Sequence, residues 1–193
     1  MNDGIWTEAY RRGDHAIQVY SSDIERLRSV YDILDWIDDD ELLIYLVDDA
    51  GLDSLSNGES HMIGRIREGI VQGRLRLMRA TQFYLKGDAF CSESAITGWV
   101  KLLKEIQDEG YKTLVVVGDV SWSVNHSGLF SEVLKYEATL TMGGLPIGFT
   151  ALCQYDSRLF SQTEIDYIES VHELQLKDGN LERNFWLVSQ RHY

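Results

Sequence analysis

Three short stretches of this chain place groups capable of acid–base, nucleophilic or metal chemistry at the ends of aliphatic runs. Leu114 to Trp122 reads Leu-Val-Val-Val-Gly-Asp-Val-Ser-Trp, so Asp119, Ser121 and Trp122 follow four aliphatic residues. Ile147 to Tyr155 runs into Cys153, Tyr155 and Asp156, with Arg158 beyond, and His15 to Tyr20 reads His-Ala-Ile-Gln-Val-Tyr. Runs of this kind suit strands buried on both faces. In an open α/β sheet the ligand sits beyond the carboxyl ends of the strands, which puts Asp119, Ser121 and Trp122 where binding or chemistry belongs. Simple strand capping accounts for them equally well.

Each chemistry can be tested against the residues. An aliphatic strand ending in Asp119 and followed by Ser121 has the form of the magnesium-holding strand of phosphate-loop enzymes. Such enzymes also need Gly-x-x-x-x-Gly-Lys-Ser/Thr between the first strand and its helix, where amides and a lysine neutralise the phosphates. That junction is Tyr20-Ser21-Ser22-Asp23, without glycine or lysine and with an added carboxylate at the helix start, which repels an anion. Gly-x-Gly-x-x-Gly follows no strand, which argues against a dinucleotide fold. Cys153 can act as a nucleophile only with a histidine beside it, and His15 qualifies only if the two strands are neighbours; a small core residue is the commoner role. His15, Asp119, His126 and Asp156 form no metal set legible from spacing, because no two histidines share one helix face. His61, His172 and His192 read as surface or packing residues. No catalytic residue, metal or cofactor is therefore expected. What remains is a mixture of aromatic walls and polar groups at strand ends, His15, Tyr20, Phe83, Tyr84, Asp119, Trp122, Cys153, Tyr155 and Asp156, which suits a small-molecule pocket.

These residues need a scaffold, and the hydrophobic periodicity supplies one. His15 to Tyr20 predicts a strand, and Ser22-Asp-Ile-Glu25 starts a helix as a capping box, with Ile24, Leu27, Val30, Tyr31, Leu34 and Ile37 as its buried stripe. Leu42 to Val47 predicts a central strand closing on Asp48 and Asp49, a short helix covers His61 to Gly69, and Leu75 to Met78 is a third strand opening into a loop with Phe83 and Tyr84. Ser92 begins the longest helix, with Ile96, Trp99, Val100, Leu103 and Ile106 inward and Gly110 as its stop. A helix from about Ser127 to Met142 buries Phe130, Val133, Leu134 and Leu140. Glu137 lies on the same stripe, so its carboxylate needs a buried partner. Ser161-Gln-Thr-Glu164 launches another helix, and Leu181 to Val188 offers a last edge strand. Alternating strands and helices predict a three-layer α/β fold, a mostly parallel central sheet with helices on both faces.

Composition narrows the function. The 193 residues suit one domain, with its core at about 13–188. Eighteen basic and 31 acidic side chains give a net charge of −13, which repels a phosphate backbone, and the nearest basic stretch, Arg65 to Arg79, reads as a solvated face. No nucleic-acid partner is expected. The N-terminus lacks a signal-peptide pattern and no stretch of about 18 apolar residues occurs, so neither secretion nor a membrane span is expected. Two distant cysteines form no disulfide framework, consistent with the cytoplasm.

The order of His15-x-x-x-x-Tyr20, Leu42 to Leu46, Tyr84, Gly118-Asp-x-Ser-Trp122, Tyr136-Glu137 and Leu152-Cys-Gln-Tyr-Asp156 with Arg158 and Phe160 resembles the MEDS domain, the sensory domain named for methanogens, methylotrophs and the dichloromethane regulator. The resemblance covers about Gly13 to Trp186, and its last two motifs are the most specific. It implies a RecA/KaiC-like fold without a phosphate loop and a non-enzymatic role in sensing small, hydrocarbon-derived or one-carbon molecules. It implies that His15, Tyr20, Asp119, Trp122, Glu137, Cys153, Tyr155 and Asp156 line or support the sensed site, with Tyr84 as a further wall. Members often have His-Pro after the last helix; here it is His172-Glu173, and no role is assigned to His172. Members often sit beside a histidine kinase or a transcription regulator. With only 14 residues before His15, such a partner is expected to be a separate protein, and a homo-oligomer is compatible with this reading. The competing reading is a divergent nucleotide- or metal-binding RecA-like enzyme that uses Asp119.

Overall fold

The aliphatic runs become the middle of a sheet in the computed structural model, which describes residues 13–58, 60–125, 128–177 and 180–184. In chain order the elements are β1 (His15–Tyr20), α1 (Asp23–Trp36), β2 (Glu41–Val47), α2 (Asp49–Asn57), α3 (His61–Val71) and β3 (Leu75–Arg79). A short helix, α4 (Ala80–Tyr84), leads into a small hairpin, β4 (Leu85–Lys86) and β5 (Ala89–Phe90), and then α5 (Ser92–Asp108). The second half holds β6 (Thr113–Asp119), α6 (Phe130–Thr139), β7 (Phe149–Asp156), α7 (Gln162–Ser170), β8 (Leu174–Lys177) and β9 (Asn180–Arg183). The sheet order is β3-β2-β6-β7-β1-β8-β9; all its pairings are parallel except the β8–β9 edge. Every residue of β2 and β7 is buried, as unbroken apolar runs require in a sheet covered on both faces.

Strand alternation divides the core into two layers. Ala16, Leu43, Tyr45, Val115, Val117 and Leu152 pack under α1, α2 and α3. Ile17, Ile44, Val116, Ala151, Cys153 and Tyr155 pack under α4, α5, α6 and α7. The fold is therefore the expected three-layer α/β architecture.

Several local expectations need correction. The predicted loop with Phe83 and Tyr84 is the helix α4, whose Tyr84 turns inward. The helix expected from Ser127 to Met142 begins at Phe130 and passes at Leu140 into a π turn, Leu140–Gly144, that ends where Gly143 takes φ +107°; Ser127 lies outside the described residues. β8 was not foreseen, and the last strand ends at Arg183; Trp186 and Val188 lie outside the described residues. Ile24 and Val100, placed on buried stripes from periodicity, are 70% and 51% exposed. In α1 the inward stripe is carried instead by Arg26, Ser29 and Ile33 together with Leu27, Val30 and Leu34. Gly110, at φ +106°, ends α5 as predicted.

The Ser161 box is complete: Ser161 Oγ accepts from the Glu164 amide, and the Glu164 carboxylate accepts from the Ser161 amide at 2.8 Å. Ser161→Ala should lower stability by about 1 kcal/mol in urea denaturation through loss of this α7 cap. The basic stretch is neutralised within the fold: Arg65 pairs with Asp35 and Glu68, Arg76 with Glu109 and Arg79 with Asp49, while Arg67 and Arg74 donate to the carbonyls of Leu55 and Ile37. Among the described residues no helix is long and apolar enough to cross a membrane.

Candidate functional site

The β1–α1 junction, where a phosphate loop would lie, consists of Ser21 and Ser22 alone. Its polar groups already have partners. The Ser21 amide donates to Glu25 Oε2 at 2.7 Å, and the Glu25 amide donates to Ser22 Oγ at 3.3 Å. An anion at this helix start would meet carboxylates from Asp23 and Glu25 instead of free N–H groups.

Alternation sorts the sequence-predicted site residues onto opposite faces of the sheet. On the α1 side, at the carboxyl ends of the strands, Asp119 is 1% exposed. Its Oδ2 accepts from the Tyr20 hydroxyl and from Arg26 Nη1, both at 3.1 Å, and its Oδ1 accepts from the Ser121 amide at 2.8 Å. Burial raises the Asp119 carboxyl above its ordinary range, although the Ser121 bonds and the Arg26 charge pull the other way. The Tyr20 phenol is raised chiefly by burial and then by Asp119. Arg26 also lies 3.9 Å from Asp48 and 3.6 Å from Asp23. A divalent ion on Asp119 would have to displace this guanidinium. Asp156, on the same face, is held by Arg158 through Nε at 2.8 Å and a second bond from Nη2; burial opposes ionisation, but those bonds keep its carboxyl below the ordinary range.

On the opposite face lies a second polar cluster. Glu137, from the inner face of α6, is 1% exposed and accepts from the Tyr155 hydroxyl at 2.8 Å and the Cys153 thiol at 3.4 Å. His15 Nε2 lies 3.0 Å from Glu137 Oε2 and 3.3 Å from Cys153 Sγ, because β1 and β7 are parallel neighbours. His172, two residues beyond α7, is fully buried; its ring centroid lies 4.3 Å from that of His15 and its Nε2 lies 3.5 Å from Glu137 Oε2. Burial disfavours the Glu137 carboxylate, but the bonds and charges of His15 and His172 outweigh it and hold the carboxyl far below the usual range. Burial, with Glu137 adding, pushes the Cys153 thiol and the Tyr155 phenol well up. The predicted buried partner for Glu137 thus takes the form of three predicted residues and one histidine left without a role.

An aromatic group adjoins this cluster. Tyr84 and Trp122 stack with centroids 5.1 Å apart at 18°, Phe90 lies 5.5 Å from Trp122, and Tyr136 meets Tyr84 edge-on at 6.0 Å. Trp99 Nε1 donates to the Tyr136 hydroxyl at 2.7 Å. The Trp122 indole N–H is buried and has no hydrogen-bond partner among the described residues. Tyr136 and Glu137 are successive residues of α6, so one helix supplies both the aromatic and the ionic group. An open groove of about 840 Å³ runs along β3, α4 and α5, lined by Phe83, Thr97 and Gly98 among others; Phe83 is the one strand-end group expected for a pocket that lines it, and none of the residues matched through the family resemblance does.

Sequence reasoning missed Arg26, Thr141 and His172, and quoted Tyr136 as part of a motif without giving it a place in the site. Arg26 had a signal, since it stands four residues before Val30 and seven before Ile33 on the inward stripe. His172 had none, because its proximity to His15 depends on where α7 returns to the sheet. His126 lies outside the described residues.

A family model for the MEDS domain, the methanogen/methylotroph, DcmR sensory domain, matches residues 14–173. The chain belongs to this family. The matched span holds both polar clusters and the aromatic group. Solved structures agree on the fold. A KaiC-like protein from the hyperthermophilic archaeon Pyrococcus horikoshii is 13% identical, with 90% of this chain and 76% of that one covered at a TM-score of 0.53. Another protein of the same organism, from a structural study, is 9% identical over 91% and 88% of the two chains, also at 0.53. A comparison with curated proteins gives no match. The MEDS domain is thus built here on a RecA/KaiC-like sheet whose first strand–helix junction is too short for a phosphate loop, and its role is sensory.

Proposed function

We propose that this MEDS domain is a non-enzymatic, cytoplasmic sensor, a single domain that binds a small hydrocarbon-derived or one-carbon molecule between the Tyr84–Trp122 pair and the Cys153–Tyr155 stretch of β7. The observation that carries this reading is the Trp122 indole N–H, a donor buried in an aromatic wall without a partner among the described residues. Leaving such a donor unsatisfied costs about 1–3 kcal/mol, and a ligand with a short carbon body and one acceptor atom would recover it. Tyr20, Asp119 and Asp156 then support the site from the other face by fixing α1 and the strand ends. Ligand binding shifts the balance between two arrangements of α6 and its π turn, and a separate histidine kinase or transcription regulator reads the shift.

Titration of the purified chain with a panel of formaldehyde, methanol, dichloromethane and methylamines, followed by calorimetry and tryptophan fluorescence, tests this. One of these compounds is expected to bind saturably, and Trp122→Phe, which keeps the ring and removes the donor, should weaken it by about tenfold, the equivalent of one hydrogen bond. Equal affinity in the variant would remove Trp122 from the site.

A further inference from the structure

We propose that His15, Glu137, Cys153 and His172 form a binding site for one divalent transition-metal ion of the zinc type. Their ligating atoms, the two imidazole nitrogens, a carboxylate oxygen and the thiol sulfur, all lie within 4.8 Å of one another and all four residues are buried. Three of the separations match the edges of a tetrahedron around zinc. Zinc bonds of about 2.0–2.3 Å place neighbouring corners about 3.3–3.8 Å apart. Here His15 Nε2 to Cys153 Sγ is 3.3 Å, Cys153 Sγ to Glu137 Oε2 is 3.4 Å, and His172 Nε2 to Glu137 Oε2 is 3.5 Å, with His15 Nε2 to Glu137 Oε2 slightly closer at 3.0 Å.

The outer contacts orient these atoms as metal ligands are oriented. His172 Nδ1 lies 2.7 Å from the Ile168 carbonyl, which can only accept, so Nδ1 is the donor there and Nε2, without a hydrogen-bond partner among the described residues, is the atom turned toward Glu137. His15 Nδ1 is fixed by Thr141 Oγ1 at 2.7 Å, which leaves its Nε2 toward the same point. Glu137 gives its other oxygen, Oε1, to the Tyr155 hydroxyl, keeping Oε2 inward. A thiolate with two imidazoles selects zinc, cobalt or iron over magnesium and calcium. Four protein corners fill the tetrahedron, which is the pattern of a structural site and leaves none for substrate. The ion would tie β1, α6, β7 and the turn after α7 together, with the π turn held through Thr141.

This site shares Cys153 with the proposed pocket, but metal binding and small-molecule binding are read separately. A chain that binds metal but no compound of the panel keeps the metal site and loses the sensory pocket, and the reverse result does the opposite. The test uses the full chain stripped with a chelator and titrated with Co²⁺. We expect saturation at one equivalent, d–d bands of tetrahedral intensity, a thiolate-to-cobalt charge-transfer band, and bleaching of both by Zn²⁺. Cys153→Ser should abolish the charge-transfer band and weaken Co²⁺ at least tenfold. X-ray absorption of the zinc-loaded parent, which needs no variant to fold, should give one sulfur and three nitrogen or oxygen neighbours. Absence of the cobalt bands in the parent, an unchanged spectrum in Cys153→Ser, or a zinc shell without sulfur would each overturn the proposal.

Discussion

Glu137→Ala is expected to cost about 3–5 kcal/mol of folding stability, measured by denaturant unfolding in the presence of a chelator so that no metal contributes. The carboxylate is the one acidic group at the centre of its cluster. Its removal leaves the Tyr155 hydroxyl and the Cys153 thiol without their acceptor, and two buried imidazoles without their counter-charge. Glu137→Gln should fall between the variant and the parent, since the amide oxygen still accepts from Tyr155 while the ionic contacts to His15 and His172 are lost. Tyr155→Phe removes one donor only and should cost about 1–3 kcal/mol. A double-mutant cycle on Glu137 and Tyr155 should then show coupling, because the two effects share one bond. Additivity of the two substitutions would mean that the Tyr155–Glu137 bond contributes nothing to stability.

Arg26→Ala should have an effect of similar size, about 3–5 kcal/mol near neutral pH, because it leaves Asp119 charged in a site that is 1% exposed. Asp119→Ala should cost less, for Arg26 keeps Asp48 and Asp23 nearby. The pH dependence distinguishes this account from simple loss of packing. The Asp119 carboxyl is already raised by burial, and removing the Arg26 charge raises it further. An acid whose folded pKa lies above its unfolded value favours the folded state when protonated. The deficit of the Arg26→Ala variant should therefore be largest at neutral pH and shrink as pH falls toward the ordinary carboxylate range of about 4. Arg26→Ala/Asp119→Asn should recover part of the loss at neutral pH, since no buried charge is then left unpaired. A deficit independent of pH between 4 and 7, on the order of the whole effect, would assign the loss to packing.

The split of the predicted residues between two faces was partly legible. His15 and Tyr20 are five residues apart in one strand and so point to opposite sides, and Cys153 and Tyr155 share a side that Asp156 does not. Treating strand ends as one crevice merged two clusters that the pleat separates. The need of Glu137 for a buried partner was legible too, because a carboxylate on an apolar helical stripe cannot be left unpaired. The partner itself was not: His15, Cys153 and His172 come from widely separated parts of the chain and meet only because β1 lies between β7 and β8.

By itself the sequence determined what depends on neighbours along the chain. Aliphatic runs set the strands, capping serines set the starts of α1 and α7, and the two-serine junction after Tyr20 ruled out a phosphate loop, because helix capping and loop length are local properties. The tertiary structure decided which distant groups share a site. Strand order brought His15 to Cys153, the inward turn of α4 stacked Tyr84 on Trp122, and Arg26 reached Asp119 across the α1 layer. Those contacts arise from the order and register of parallel strands, which are fixed by the joint burial of both sheet faces and leave no periodic trace in the sequence.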